Sequence, residues 1–508
     1  MDRTGRVFLF TASIIVCVSI FSMMAESKEV GKQRVLVIGI DAATWDLLNP
    51  WIEDGQLPNI AHLAEEGAIG NLTSVLPVIS PAAWTSFATG TTPAKHGVFG
   101  YQQRREGSYE NYVPLSTDAK AKWFWEILGE HGKRSVIINM PGTYPPGELN
   151  GILISGEVAV DIATYPPELA EQLKSKGYSI ESKGYVNTPK DEFLEDLNKV
   201  TDKRAEIGLE MMESEDWDLF FIVFTESDRI QHYLWDDMEN KDKKYGGEML
   251  KYFQRMDSIV GEFVDKAGNN TTTFVVSDHG AGRLKKRFYL DKWLEEQGYL
   301  VAESSGNPLL KKAELVFAAL LRSTGISEVV RNFVIFFGGE PEKIKPPEIA
   351  VDLANSKAFS SGYYEPAIYI NRNIVSENER EKLAGEIVEK LRRLKDGKTG
   401  QNVFIRASRA DEIYNASSPD MPDIFLESNY NYSVVGGLRY PWLFESGLRE
   451  TGTHRIKGIF IASGKGVRKG VVVEDASLID VAPAILGVFG IADENMEGKV
   501  PGGIFEKS

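Results

Sequence analysis

The stretch Lys32–Asp46, KQRVLVIGIDAATWD, decides the fold. Its run Val35–Ile40 is short, rich in β-branched residues and unbroken by any charged position. A strand with one wet face alternates apolar and polar residues. An unbroken run fits a strand buried on both faces, as in a parallel sheet covered by helices. The run ends at Asp41. Similar runs recur in RSVIINMPG (134–142), LFFIVFTESD (219–228), TTTFVVSDHG (271–280) and GIFIASGKG (458–466). Helical patterns lie between them, such as LPNIAHLAEEGA (57–68) and KYFQRMDSIVGEFVDKA (251–267). This alternation predicts an α/β fold, a mostly parallel sheet with helices on both faces. Ligands of such sheets gather at the carboxyl ends of the strands. Asp41, Asp228 and Asp278 each follow a strand at that end.

With 508 residues, 43% of them hydrophobic, the chain can bury a large core and more than one lobe. A formal net charge of -16 and a pI near 5.1 oppose binding to a nucleic-acid polymer. A small anionic substrate held by a bound cation remains compatible with that charge. Arg3 and Arg6 precede the apolar segment Val7–Ala25, which reads as a secretory signal peptide or a signal anchor within residues 1–28. Either places the rest of the chain outside the cytoplasm, secreted, periplasmic or tethered through residues 7–25. Val16 before Cys17 is not the small residue a lipoprotein needs. Cys17 is the only cysteine, so the mature part has no disulfide and no thiolate ligand.

Residues 34–300 and 420–503 read as the two parts of the core, and 300–420 as an inserted, lid-like α+β lobe. The insert opens with LLKKAELVFAALLRSTG (309–325) and SEVVRNFVIFFGG (327–339), read as packing on the core rather than on a membrane. A break, PEKIKPPE (341–348), leads to the strand AIYINR (367–372). A helix follows, opened by the capping box Ser376…Glu379, and then the strand NVFIRA (402–407).

Six histidines are present. His232 lies four residues after Asp228, which on a helix places both on one face. His279 follows Asp278 on a glycine-containing turn, and His454 lies in ETGTHRIKG (450–458), expected as a loop before a strand. Ser80, in VISPAAWTSFATG (78–90), is expected at a helix cap with Pro81 at the first helical position. Asp41, Ser80, Asp228, His232, Asp278, His279 and His454 together could ligate two divalent ions. Nitrogen and oxygen donors without thiolate suit zinc, with manganese second.

The ordered set GIDAATWD, VISPAAWTSFATGTTPAKHG, SDRIQH, SDHG and GTHRIKGIFIASG resembles the alkaline phosphatase superfamily, and within it the type I phosphodiesterase/nucleotide pyrophosphatase-like proteins. The resemblance spans about 34 to 500, least in the insert. It implies an alkaline-phosphatase-like fold. It also implies Asp228, His232 and His454 around one metal, and Asp41, Asp278 and His279 around the other, with Ser80 as a further ligand and as nucleophile. His96 matches a family position that is not a ligand and reads as structural. His62 and His131 read as ordinary helix or loop residues. Many nucleotide pyrophosphatases carry Thr as nucleophile and Asn three residues later. Here those positions are Ser80 and Ala83, which weakens the narrower pyrophosphatase reading.

The implied activity is two-metal hydrolysis of a small phosphoric ester, a diester favoured, through a covalent seryl intermediate. A phosphomutase or a phosphoryl or headgroup transferase is the alternative. The presence of all seven groups argues against a non-enzymatic tethered domain. Substrate identity and oligomeric state lie beyond the sequence.

Overall fold

Alternate residues of the strand Arg34–Ile40 (β1) account for its unbroken apolar run. Leu36, Ile38 and Ile40 enter one hydrophobic core, Val35 and Val37 enter another on the opposite face, and all five are fully buried. Each such side chain contributes roughly 1.5–3 kcal/mol when fully buried. The same division holds in Leu219–Phe224, where Phe220, Ile222 and Phe224 face one core and Leu219, Phe221 and Val223 the other.

The computed structural model describes residues 32–105, 107–184, 188–303, 350–415, 420–438 and 441–506. The segment 1–28, the apolar helices expected at 309–339 and the break at 341–348 lie outside the described residues. Among the described residues, no helix is long and apolar enough to cross a membrane.

The central sheet contains β1, β2 (Ala68–Thr73), β3 (Ser135–Met140), β4 (Gly151–Ser155), β5 (Thr164–Tyr165), β6 (Leu219–Phe224), β7 (Thr271–Val276), β8 (Lys457–Gly464) and β9 (Val471–Ser477). Across the sheet they run β9-β2-β8-β7-β1-β6-β3-β4-β5. Strand β1 pairs in parallel with β6 and β7, β3 with β6 and β4, and β2 with β9. Strand β8 runs antiparallel to β2 and β7, and β5 antiparallel to β4. The sheet is therefore mostly parallel, as expected. Helices Trp45–Glu53, Pro58–Glu65, Lys190–Ser214, Glu226–Glu239 and Glu248–Ala267 cover one face. Helices Ser80–Thr89, Phe124–Glu130 and Val481–Val488 cover the other.

Mostly within the segment expected as an inserted lobe lies a separate antiparallel sheet of Ala358–Ser360, Ala367–Ile370, Ile424–Ser428 and Phe404–Arg409, in that spatial order, with the helix Glu377–Arg392. Glu379 folds back on Ser376, accepting from its N–H at 3.3 Å and its hydroxyl at 2.6 Å. Ile424–Ser428 enters this sheet although it lies beyond residue 420, where the sequence reading ended the lobe. A strand's apolar pattern reports burial, not which sheet supplies its partners. The core strand Gly280–Tyr289 continues toward the lobe, pairing with Asn431–Val435, Phe444–Ser446 and Gly452–Arg455.

Candidate metal centre and active site

Asp41 leaves the end of β1, and its carboxylate is fixed by the helix Ser80–Thr89. Trp84 Nε1 donates to Asp41 Oδ2 at 3.0 Å. Gly39 makes room for that indole, because a Cβ there would lie 2.6 Å from Trp84 Cη2. The strand therefore needs glycine two residues before Asp41.

Ser80 lies at the start of the helix Ser80–Thr89, but not as its cap. Ile79, with extended backbone, is the cap residue, and its carbonyl accepts from Ala83 N–H at 3.0 Å. The helix begins one residue earlier than expected, because proline's missing N–H is harmless at either of the first two helical positions. The Ser80 hydroxyl is not that of the cap residue. It lies instead 3.4 Å from His279 Nε2, almost wholly buried.

Asp228 and His232 share one face of the helix Glu226–Glu239, which follows β6 directly. The start of that helix is anchored by Glu226, fully buried in an ion pair with Arg204 of the helix Lys190–Ser214. His454 sits on the short strand Gly452–Arg455, not on a loop as expected. Backbone pairing with the strand Gly280–Tyr289, in the register Ala281 to His454, holds it there. That register stacks its ring on His279, with centroids 3.9 Å apart.

Each of the three imidazoles is committed through Nδ1. His454 Nδ1 lies 2.9 Å from the Val78 carbonyl, and His279 Nδ1 lies 3.0 Å from the Gly280 carbonyl. His232 Nδ1 lies 2.9 Å from both the Gly452 carbonyl and Glu450 Oε1. Those acceptors suit Nδ1–H, so Nε2 of each ring presents a lone pair when the ring is neutral, the form a cation would bind. His232 Nε2 and His454 Nε2 face each other at 3.0 Å, and lie 3.2 and 3.5 Å from Asp228 Oδ1. His279 Nε2 lies 3.3 Å from Asp278 Oδ2 and 3.8 Å from Asp41 Oδ1. Asp278 Oδ1 accepts from Ala42 N–H at 3.3 Å. Asp41 Oδ1, Asp228 Oδ1 and Asp278 Oδ2 are buried without a hydrogen-bond donor.

Facing lone pairs and orphaned carboxylate oxygens are costly in a buried site unless a cation lies among them. Tetrahedral zinc with bonds of about 2.0–2.2 Å spaces its ligand atoms roughly 3.3–3.5 Å apart. The donor spacings of Asp228, His232 and His454, 3.0, 3.2 and 3.5 Å, lie at or slightly below that value. Asp41, Asp278 and His279 place one donor atom each within 4.8 Å of the others, as do Asp228, His279 and His454. The seven residues singled out in the sequence thus converge on one site, and their donor set fits divalent cations.

Electrostatics divide the site. Burial, reinforced by Asp278 and Asp228, holds the Asp41 carboxyl well above its ordinary range. Burial likewise raises Asp278 to about 7. Asp228 moves the other way. Burial would raise it, but the imidazoles of His232 and His454 draw it well below the usual range. Burial would lower His232, yet Asp228 and Glu450 raise it. His279 is lowered by burial and by His454.

The site opens on a cavity of about 690 Å³. Asp228, His232 and His454 line its floor, and the lobe supplies Tyr363, Tyr364, Glu365, Ile405 and Leu426. Sequence reasoning missed Glu450, which ties His232 to Arg287. Its one signal is an acid at the head of ETGTHRIKG. Trp84 was also missed, although it lies one helical turn beyond Ser80. Tyr101, whose hydroxyl donates to Glu157 at 2.6 Å on the cavity wall, gave no signal. The remaining histidines lie outside the ligand cluster. His96 is buried, accepting from Val98 N–H at 3.1 Å and bonded to Ser86 Oγ at 2.8 Å. His62 sits in the helix Pro58–Glu65, and His131 follows the helix Phe124–Glu130.

Solved structures resemble the fold. Human ectonucleotide pyrophosphatase/phosphodiesterase 5 is 14% identical, with a TM-score of 0.52 over 92% of this chain and 97% of that chain. Phosphonoacetate hydrolase from Sinorhizobium meliloti 1021, in complex with phosphonoformate, is 14% identical, with a TM-score of 0.55 over 91% and 96%. An inactive form of the murine pyrophosphatase/phosphodiesterase 5, in complex with AMP, is 14% identical, with a TM-score of 0.52 over 92% and 97%. These likenesses bear on the fold alone. No curated protein matches the chain. Residues 35–458 match the family of type I phosphodiesterases / nucleotide pyrophosphatases, and the chain belongs to that family.

Proposed function

We propose that this protein hydrolyses a small phosphoric ester, a diester in preference to a monoester, with Ser80 as nucleophile and two divalent cations, zinc before manganese. One observation carries the reading. Three Nε2 lone pairs and three orphaned carboxylate oxygens converge beside the Ser80 hydroxyl. Asp228, His232 and His454 would hold one cation. Asp41, Asp278 and His279 would hold the other, with Ser80 Oγ as a further ligand. When bound, the cations supply Lewis acidity to the serine hydroxyl and the phosphoryl oxygens.

Ser80 Oγ forms a bond to phosphorus as the bond to the leaving alcohol breaks. The resulting seryl phosphoester is then cleaved by water, which restores the hydroxyl. The first helical turn around Ser80 favours negative charge, through backbone N–H groups without helical partners and through the helix dipole. Ala83, buried and three residues on, offers no amide to the phosphate. That supports a broader ester specificity over a dedicated nucleotide pyrophosphatase. The basic flank and apolar segment at residues 3–25 support an extracytoplasmic location.

A substrate panel tests the reading: bis(4-nitrophenyl) phosphate, 4-nitrophenyl phosphate and thymidine 5′-(4-nitrophenyl phosphate), each with zinc and with manganese. The expected result is the highest kcat/KM on the bis-aryl diester, in water alone. Faster turnover of the monoester, or turnover only with an added acceptor alcohol, contradicts it and favours the mutase or transferase reading.

Stability against pH gives a second expected outcome. The raised carboxyls of Asp41 and Asp278 make the metal-free fold most stable while they are protonated, and that stability is lost as pH rises through their folded values, about 7 for Asp278. His232, also raised, contributes in the same direction. A bound cation needs these groups deprotonated. The rise in Tm on adding zinc is therefore larger at pH 8 than at pH 6.5. Calorimetric scans with and without zinc measure it, and an increment that shrinks with pH refutes the assignment.

A further inference from the structure

Among the described residues, the cavity contains a cation without an ion-pair partner. Arg287 is ion-paired with Glu450, and Arg229 with Glu157 and Glu181. Arg455 lines the same cavity, yet none of the ion pairs formed by the described residues includes it. Its two assigned bonds go to neutral carbonyls, from Nη1 to His454 at 2.8 Å and from Nη2 to Arg283 at 2.6 Å. The guanidinium has five N–H donors, so others stay open to a ligand.

The position is built rather than incidental. Tyr430, itself exposed and on the cavity wall, lies under the guanidinium with its ring centroid 5.2 Å away. Gly282 leaves the space on the facing strand, since a Cβ there would lie 2.7 Å from Arg455 Nε. The charge of Asp46 reaches the guanidinium, without an ion pair between them. Lys457, two residues along the chain, adds a second cation to the same wall, its Nζ donating to Thr73 Oγ1 at 2.5 Å.

From this placement we infer that Arg455 is a specificity-determining residue: it receives a second anionic group on the substrate, distinct from the phosphoryl group at Ser80. The inference rests on the hydrolytic reading above and narrows it. The substrate class is a phosphoric diester in which one alcohol carries a carboxylate or a further phosphate-type group. Bidentate recognition of either suits a planar guanidinium.

A matched series tests it: 4-nitrophenyl 3-carboxypropyl phosphate, 4-nitrophenyl 3-phosphonopropyl phosphate and the uncharged control 4-nitrophenyl butyl phosphate. For Arg455→Gln, KM rises by about 10- to 100-fold on one or both anionic substrates, the range of a lost charge-assisted hydrogen bond. The butyl ester keeps its wild-type KM and kcat, which also reports an intact fold and catalytic site. Arg455→Lys recovers part of the loss. The larger effect of the two anionic arms identifies carboxylate or phosphate as the recognised group.

Equal losses on all three esters, or none on the anionic pair, overturn the inference and leave the hydrolytic reading standing. Turnover of none of them by wild type counts against the hydrolytic reading instead. Calorimetric binding of 4-phosphonobutyrate against butylphosphonate to the zinc-loaded protein then decides Arg455 separately. The carboxylate should favour binding to wild type and lose its advantage in Arg455→Gln. An advantage that is absent from wild type or survives in the variant overturns the inference.

Discussion

Ser80→Ala is expected to lower kcat on bis(4-nitrophenyl) phosphate by about 10⁴-fold or more, the scale on which removal of a covalent nucleophile acts. The fold should be almost unaffected. Ile79, not Ser80, is the cap residue, and Ser80 is already buried. Alanine loses only Oγ, the atom 3.4 Å from His279 Nε2. The variant should therefore unfold near the wild-type temperature and still bind cations through the other six residues. Steady-state turnover together with a thermal scan checks both halves. Full turnover in Ser80→Ala would remove the serine from the chemistry.

His454→Ala should cost about 10³-fold in kcat/KM, equivalent to roughly 4 kcal/mol of transition-state stabilisation. The imidazole meets Asp228 Oδ1 at 3.5 Å and His232 Nε2 at 3.0 Å, and its ring stacks on His279. Its loss opens one ligand set and disturbs the other. Glu450→Gln provides a graded comparison. The amide still fills the space beside His232 Nδ1 but removes the charge shared with Arg287. A second-rank partner of a ligand typically costs 10- to 100-fold in metal affinity, so the expected loss lies well short of that of His454→Ala. Competition with a chelator of known zinc affinity measures the two variants. Equal affinities would mean that Glu450 does not orient His232.

The sheet was legible because its strands are buried on both faces. In β1 and β6 every residue facing either core is apolar, so the runs stand out without alternation. Asp41, Asp228 and Asp278 were legible as polar residues placed where such runs stop. The helical spacing of Asp228 and His232 survived intact. What stayed hidden depends on pairing between distant segments. His454 is set by its register against Ala281, and no local pattern distinguishes that short strand from a loop. The same limit applies to Ile424–Ser428, whose partners belong to the lobe. Arg455 looked like an ordinary basic residue in ETGTHRIKG. Its lack of a counter-ion among the described residues appears only once Glu157 and Glu450 are seen paired with other arginines. The one-residue shift at Ser80 has a local cause, since Ile79 keeps the extended backbone of the preceding segment.

The central claim is that Asp41, Asp278 and His279, and Asp228, His232 and His454, form two cation sites beside Ser80. The ion content of the purified protein, equilibrated with zinc, desalted and measured by plasma mass spectrometry, tests it most directly. Two ions per chain are predicted for wild type, and one each for His454→Ala and Asp278→Ala. Fewer than two ions in wild type, or two in both variants, would contradict it.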